Sequence, residues 1–192
     1  MGRELELKFR ATQAQQQALR EAFDGFVTIS METTYFDTPA HDLSARHVTL
    51  RLRKENETCI CTLKTPLPDG SRGEWECEAS DISQGLEKLL TLGAPEDLCR
   101  LALAGVGPVC GAKFTRLATQ VSTEEGSAEL ALDRGVLLGG GKEIPLCEIE
   151  LEHKEGSEEA TFTLGKLLAG RYGLQAEPKS KFRRAIDLVR GE

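Results

Sequence analysis

The chain has few histidines and few aromatic residues. Three histidines occur among 192 residues, and aromatic side chains make up 5% of the sequence. A catalytic histidine beside a serine nucleophile therefore has little support. A stacking platform for a nucleobase is disfavoured for the same compositional reason. Any chemistry is expected to depend on carboxylates and a metal.

Other kinds of site and partner are disfavoured by what is absent. The six cysteines form no pair of C-x-x-C motifs, so they are expected to be free thiols in a reducing compartment. No apolar run is long enough to span a bilayer, and the N-terminus begins with a charged strand, so we expect a cytoplasmic protein with no membrane partner. The net charge of −7 disfavours nucleic acid, although a small anion in an enclosed basic pocket stays compatible with it.

Charged and apolar residues alternate at period two in several segments. Examples are 4–9, 50–53, 74–78 and 148–152, and within each segment the charges fall on one face of a strand. Some of these faces are acidic and one is basic. Alternation by itself favours a two-layer sheet whose charged face is solvated. The other interpretation is a barrel that gathers the charges inside, where acids hold cations and bases hold an anion.

The pattern of turns and periodicities predicts about eight strands with helices inserted between them. Strands are expected over 3–10, 26–36, 47–55, 58–64, 73–79, 112–122, 127–138 and 143–153, and helices over 13–24, from 81 or 83 to 92, and over 95–104, 157–172 and 180–188. Because most connections are short, the economical fold is α+β, an eight-stranded antiparallel β-barrel with peripheral helices. A single domain over 1–192 is expected.

A series of short motifs follows one order along the chain. They are Glu4-x-Glu6-x-Lys8, Tyr35–Thr38, Leu50–Arg53, Thr62–Lys64, Gly73–Glu76, Thr115–Arg116, Ala131–Asp133, Cys147–Glu152 and Lys179–Arg183. Together they resemble the CYTH domains, the triphosphate tunnel metalloenzymes. The stretch from Ala131 to Leu151 is similar to bacterial inorganic triphosphatases in particular. The resemblance implies a charged tunnel through the barrel.

The same resemblance implies roles for individual residues. Divalent metals, two ions of Mg²⁺ or Mn²⁺, would be held by Glu4, Glu6, Glu148 and Glu150, with Asp133 and one of Glu74 or Glu76 completing the shells. The phosphates would be held by Lys8, Arg51, Arg53, Lys64, Arg116, Lys181 and Arg183. Lys8 and Lys181 would also act in catalysis. The base would be Glu150 or Glu6.

The activity that the resemblance implies is metal-dependent hydrolysis of inorganic triphosphate to pyrophosphate and phosphate. Thiamine triphosphatase, nucleoside triphosphatase and class IV adenylate cyclase are alternatives on the same fold. A non-catalytic polyphosphate-binding module is a third possibility, and crowded acids argue against it because they are costly unless cations neutralise them. The partner is expected to be a small triphosphate. A homodimer stays open, since dimers are common among soluble proteins.

Overall fold

The computed structural model describes residues 2–3, 5–68 and 71–192, and of residues 2–3 only the backbone. The strands are β1 Gly2–Arg3, β2 Glu6–Arg10, β3 Val27–Asp37, β4 Thr49–Glu55, β5 Thr58–Pro66, β6 Arg72–Glu78, β7 Gly107–Ser122, β8 Gly126–Gly139, β9 Lys142–Gly156 and β10 Gln175–Ala176. The helices are α1 Gln13–Ala22, α2 Asp42–Ala45, α3 Ile82–Thr91, α4 Glu96–Ala104, α5 Glu158–Tyr172 and α6 Lys181–Arg190. None of these helices is both long and apolar enough to cross a membrane.

All ten strands belong to one antiparallel sheet in the order β1-β6-β5-β4-β3-β7-β8-β9-β2-β10. The two ends of this order are held by the same N-terminal segment. Its beginning, Gly2–Arg3, pairs with β6, whereas Glu6–Arg10 pairs with β9. The sheet therefore curves so that β1 borders β6 while β2, a few residues later, borders β9. The prediction of an α+β fold with an antiparallel barrel-like tunnel and peripheral helices is confirmed.

The apolar faces of the strands point outward, towards the helices. Leu50, Leu63 and Trp75 pack with α3 and α4 in one cluster, and Ile149 and Leu151 pack with α1 and α5 in a second. A third cluster joins α6 to β3 and β7–β9. Because side chains alternate along a strand, the charged residues between these apolar ones point into the barrel. The alternative of a solvated charged face is therefore wrong.

Local interactions explain where several elements begin. Thr12 caps α1 by accepting from the Gln15 amide, and the Gln15 side chain accepts from the Thr12 amide, so the two form a capping box. Asn56 takes a left-handed conformation in the β4–β5 turn, with φ of 53°. The sequence did not predict α2, a four-residue helix. It depends on the buried Asp37 carboxylate, which accepts from the amides of Leu43 and Ser44.

Gly85 marks the close contact between α3 and β5. A methyl group at Gly85 would collide with Cβ and Sγ of the buried Cys61. We therefore expect Gly85→Ala to lower the free energy of unfolding by about 1–3 kcal/mol through overpacking, although alanine favours helix. Gly170→Ala in α5 is the matched control. Outside its own helix, no described atom lies within 4 Å of such a methyl group.

The control substitution should raise the free energy of unfolding by about 0.5–1 kcal/mol, because alanine is the better helix former. Urea unfolding of both variants measures the difference. Equal stabilisation in the two variants would show that α3 is free to move away from β5.

Candidate active site

The inward-facing side chains line one cavity with a volume of about 410 Å³. Among the described lining residues, eight are basic and seven are acidic, whereas the whole chain has 24 basic and 31 acidic residues. The basic residues are Lys8, Arg51, Arg53, Lys64, Arg72, Arg116, Lys154 and Lys181, and the acidic ones are Glu6, Glu55, Glu74, Glu76, Glu129, Glu150 and Glu152. The cavity thus reverses the charge balance of the chain and favours an anion.

Strands β4–β6 supply the most basic wall of the cavity. Lys64 Nζ lies 3.2 Å from a carboxylate oxygen of Glu74, and Arg51 lies 3.9 Å from the same oxygen. Arg53 forms an ion pair with Glu55. Burial and the neighbouring Arg51 guanidinium lower the pKa of Arg53 below its ordinary value. Both guanidinium groups belong to β4 and line the cavity, so their like charges face the same space.

Three buried carboxylates lie together at the end of the cavity where α6 begins. Oxygens of Asp133, Glu148 and Glu150 lie within 4.8 Å of one another. The ammonium group of Lys181 contacts all three, at 2.8 Å from Asp133 and 2.6 Å from Glu150, with a third contact to Glu148. Burial by itself lowers the pKa of Lys181, but Asp133, Glu150 and Glu148 outweigh it and raise the pKa above its ordinary value.

Two arginines complete this ion network. Arg116 donates two hydrogen bonds of 2.8 Å to Asp133, one to each oxygen, and also contacts Glu150. Arg184 donates to Glu148. Burial raises the pKa of Glu150, but Lys181 and Arg116 outweigh it and hold that pKa well below its ordinary value. Three buried acids are therefore balanced by three cations.

The chemistry of this donor set fits a hard divalent cation. Its ligand atoms are all carboxylate oxygens, which Mg²⁺ and Mn²⁺ prefer, and three of them converge. Lys181 lies where such a cation would bind, since its ammonium group touches each of the three acids. The buried acidic cluster can hold a metal ion if Lys181 moves.

Most of the predicted site residues meet at this cavity. Those that line it are Glu6, Lys8, Arg51, Arg53, Lys64, Glu74, Glu76, Arg116, Glu150 and Lys181. Their source strands lie far apart in the sequence, and the curved sheet brings them together. Glu4 lies outside the described residues.

Three predicted site residues are not part of the described cavity lining. Asp133 and Glu148 have no exposed surface and are absent from the described cavity lining, because Lys181 and α6 cover them. Arg183 is exposed and pairs with Asp187 and Glu192. Arg183 was expected to hold the phosphates together with Lys181. Both residues belong to α6, where positions two apart point in different directions.

The sequence interpretation missed several residues at or beside the cavity. Arg184, three positions after Lys181, shares its helix face and reaches Glu148. Glu152 ends one of the acidic motifs but was not assigned to the site. It pairs with Lys154 at 2.9 Å and also lines the cavity. Glu129 pairs in register with Glu152 on the neighbouring strand. The period-two alternation of β9 was the signal for Glu152, and the helix predicted over 180–188 was the signal for Arg184, because positions three apart share a helix face. The remaining charged lining residues that were missed are Glu55, Arg72 and Lys154.

This geometry agrees with a comparison against known protein families. A family model of the CYTH domain matches residues 2–186. The chain belongs to the CYTH domain family. A relative named inorganic triphosphatase, from Haemophilus influenzae, is 27% identical to this CYTH chain over 153 residues, which cover 79% of the chain and 44% of the relative. The chain therefore spans less than half the length of that relative.

Solved structures share the CYTH fold. A candidate adenylyl cyclase from Hippeastrum, described as having a dominant triphosphatase activity, is 23% identical with a TM-score of 0.66, and the match covers 98% of this chain and 95% of that one. A candidate adenylate cyclase from Bacillus halodurans is 22% identical with a TM-score of 0.65, covering 94% and 96%. At these identities the two structures support the fold alone.

The neighbouring arginines of α6 provide a test of the buried network. Arg184→Met leaves the fully buried Glu148 with Lys181 as its remaining described cationic contact. We expect it to lower the free energy of unfolding by about 3 kcal/mol, because an acid in the interior loses a partner. Arg183→Met is the control, and it should cost less than about 1 kcal/mol because its ion pairs are partly solvated.

Urea unfolding of the two variants at neutral pH measures both effects. Similar losses in both variants would contradict the assignment of Arg184 as the partner of Glu148.

Proposed function

We propose that this CYTH protein is a divalent-metal-dependent phosphohydrolase, and that its substrate is inorganic triphosphate, cleaved to pyrophosphate and phosphate. The observation that carries the proposal is the group of cations, Arg51, Arg53, Lys64 and Arg116 among them, that lines one enclosed cavity. Burial, and then the charges of Arg51 and Arg116, lower the pKa of Arg53. A polyanion relieves the repulsion among these cations. The name of the Haemophilus relative supports the choice of triphosphate.

The basic wall holds the substrate. Arg51 and Arg53 offer guanidinium groups that bind phosphate oxygens through paired hydrogen bonds, and Lys64 adds a third cation on the next strand. Lys8 lies across the cavity on β2, with its ammonium group 3.5 Å from Glu6. We assign Lys8 to the terminal phosphate or its bridging oxygen, where it stabilises the charge that develops as the bond breaks.

Glu6 is the better general base of the two candidates. Glu150 accepts from Arg116 and Lys181, and its lowered pKa makes it a poor proton acceptor. The Glu6 side chain is 16% exposed and faces the cavity, so it can reach a water molecule there. In this proposal Glu6 takes the proton of the attacking water, and Glu150 is a metal ligand.

The metal would be Mg²⁺ or Mn²⁺, and we propose two ions. Asp133, Glu148 and Glu150 are the acids best placed to hold them, with Glu74 and Glu76 on the cavity wall as further candidates. When bound, such ions polarise phosphate oxygens and lower the pKa of a coordinated water. The protein's own part is to orient the substrate with its arginines and to position Glu6.

The cavity offers little for a nucleobase. Three aromatic rings line it, but Tyr35 and Phe114 are buried and Tyr35 packs on Phe182, with ring centroids 5.1 Å apart. Lys181 lies over the Phe114 ring, 5.2 Å from its centroid. Because these rings are covered by one another and by cations, they do not present an open face for stacking. Inorganic triphosphate is therefore preferred over nucleoside triphosphates.

The crowding of acids argues less strongly against a non-catalytic binding module than the sequence suggested. Crowded acids were expected to require metal, yet Lys181, Arg116 and Arg184 neutralise Asp133, Glu148 and Glu150. Glu76 lines the cavity and has no ion pair with another described residue, and an acid in this position still favours an enzyme over a module that only binds polyphosphate.

Phosphate release separates these functions. We expect the purified protein with Mg²⁺ or Mn²⁺ to release phosphate from inorganic triphosphate much faster than from thiamine triphosphate, ATP or long-chain polyphosphate, because the cavity contacts fit the phosphates themselves. Chelator should abolish the reaction. Tight binding of triphosphate without hydrolysis, under every metal condition, would instead identify a binding module.

Arg51→Ala tests the basic wall. We expect kcat/KM for triphosphate to fall on the order of 100-fold, because a preorganised donor to the phosphates is lost. Lys54→Ala is the matched control from the same strand, since Lys54 points outward and pairs with Glu57 at 3.6 Å. Its kinetics should stay close to wild type. Equal effects of the two substitutions would place the substrate outside this cavity.

A further inference from the structure

We propose that Lys181 couples the binding of metal and triphosphate. Its ammonium group holds the three buried acids in the free protein, and it gives up this position to a divalent cation only when it can move to a phosphate. Neither ligand then binds tightly by itself. This inference rests on the proposed function, and it concerns how the site is loaded rather than which bond is broken.

The balance of charges in the acidic cluster limits what can bind there. Asp133 and Glu148 have no exposed surface and Glu150 is 8% exposed, so these acids carry their charges in a weakly solvated region. Three cations contact them in the free protein. A divalent cation added to this balanced group would leave two positive charges in excess, which is costly in the interior. One of the three protein cations has to leave.

Lys181 is the cation that is free to leave. Arg116 is fixed by two hydrogen bonds to Asp133, and Arg184 contacts Glu148 and lies 3.9 Å from Glu177. Both arginines would therefore keep these carboxylate partners when a metal ion binds. Lys181 is the first residue of α6, and its unbranched side chain lines the cavity where the substrate would lie.

A bound phosphate would give the ammonium group of Lys181 a new partner. The three acids keep Arg116 and Arg184 after the ammonium group moves, and the oxygens of Glu148 and Glu150 that Lys181 contacted become available to a cation. Lys181 meanwhile gains a phosphate as its new partner, so its charge is not left unpaired. Because coupling between two ligands is reciprocal, triphosphate must tighten metal binding by the same factor by which metal tightens triphosphate binding.

The test measures Mn²⁺ binding without turnover. Free Mn²⁺ is followed by electron paramagnetic resonance in the presence and absence of imidotriphosphate, a hydrolysis-resistant analogue of triphosphate. We expect the analogue to tighten Mn²⁺ binding to the wild-type protein by at least on the order of tenfold. Unchanged Mn²⁺ affinity would overturn the inference.

Lys181→Met removes the ammonium group and keeps the length of the side chain. We expect this variant to bind Mn²⁺ without the analogue at least about tenfold more tightly than wild type, and to lose most of the coupling. Lys179→Met is the control, because Lys179 is a lysine two residues away that pairs with Asp187 at 2.8 Å. It should keep the wild-type coupling. Equal Mn²⁺ affinities of Lys181→Met and wild type would contradict the inference.

A measurement on the wild-type protein guards against misfolding of Lys181→Met. In ¹⁵N-lysine-labelled protein, the buried ammonium group of Lys181 should give a slowly exchanging signal that Mg²⁺ alone leaves in place and that Mg²⁺ with imidotriphosphate shifts. A signal that Mg²⁺ alone shifts would overturn the coupling.

The outcomes also separate this inference from the proposed function. Metal-dependent hydrolysis together with Mn²⁺ binding that ignores the analogue would overturn the coupling and leave the function standing. No Mn²⁺ binding under any condition would overturn both.

Discussion

The structure depends on the attraction between the first turn of α6 and the acids of β8 and β9. Lys181 and Arg184 are the cations that α6 brings to Asp133, Glu148 and Glu150. Without them, three buried carboxylates would face one another at distances where their repulsion is large. The helix therefore closes one end of the cavity and neutralises it at the same time. In this CYTH protein, folding and the electrostatics of the candidate site are parts of a single interaction.

The period of the sequence was sufficient to predict which side chains face inward. Arg51 and Arg53 alternate with apolar neighbours, and the register of the sheet places them opposite the strand that carries Lys64. Trp75 alternates with Glu74 and Glu76 in the sequence, and it lies in the core beneath α3 and α4. These predictions succeeded because they need only the two-residue period of a strand and one decision about which face is buried.

What failed needed information about tertiary structure. Glu148 and Glu150 have the same pattern in the sequence, but α6 covers one of them completely while the other reaches the cavity. Arg183 and Arg184 differ in role because the chain is helical from Lys181 onward. The sequence predicted a helix over 180–188, but the motif resemblance placed Arg183 with the phosphate ligands. Which arginine turns inward depends on how α6 packs against β8 and β9.

The pairing of β2 has a consequence for how the protein folds during its synthesis. β2 pairs on one side with β9 and on the other with β10, which contains residues 175–176. Residues 6–10 are therefore synthesised long before residues 142–156 and 175–176, with which they pair. Pairing between residues far apart in the sequence slows folding. Until its partners are available, an unpaired strand is prone to pair with other chains. We expect the nascent chain to need protection of this strand until α5 and the residues after it have emerged.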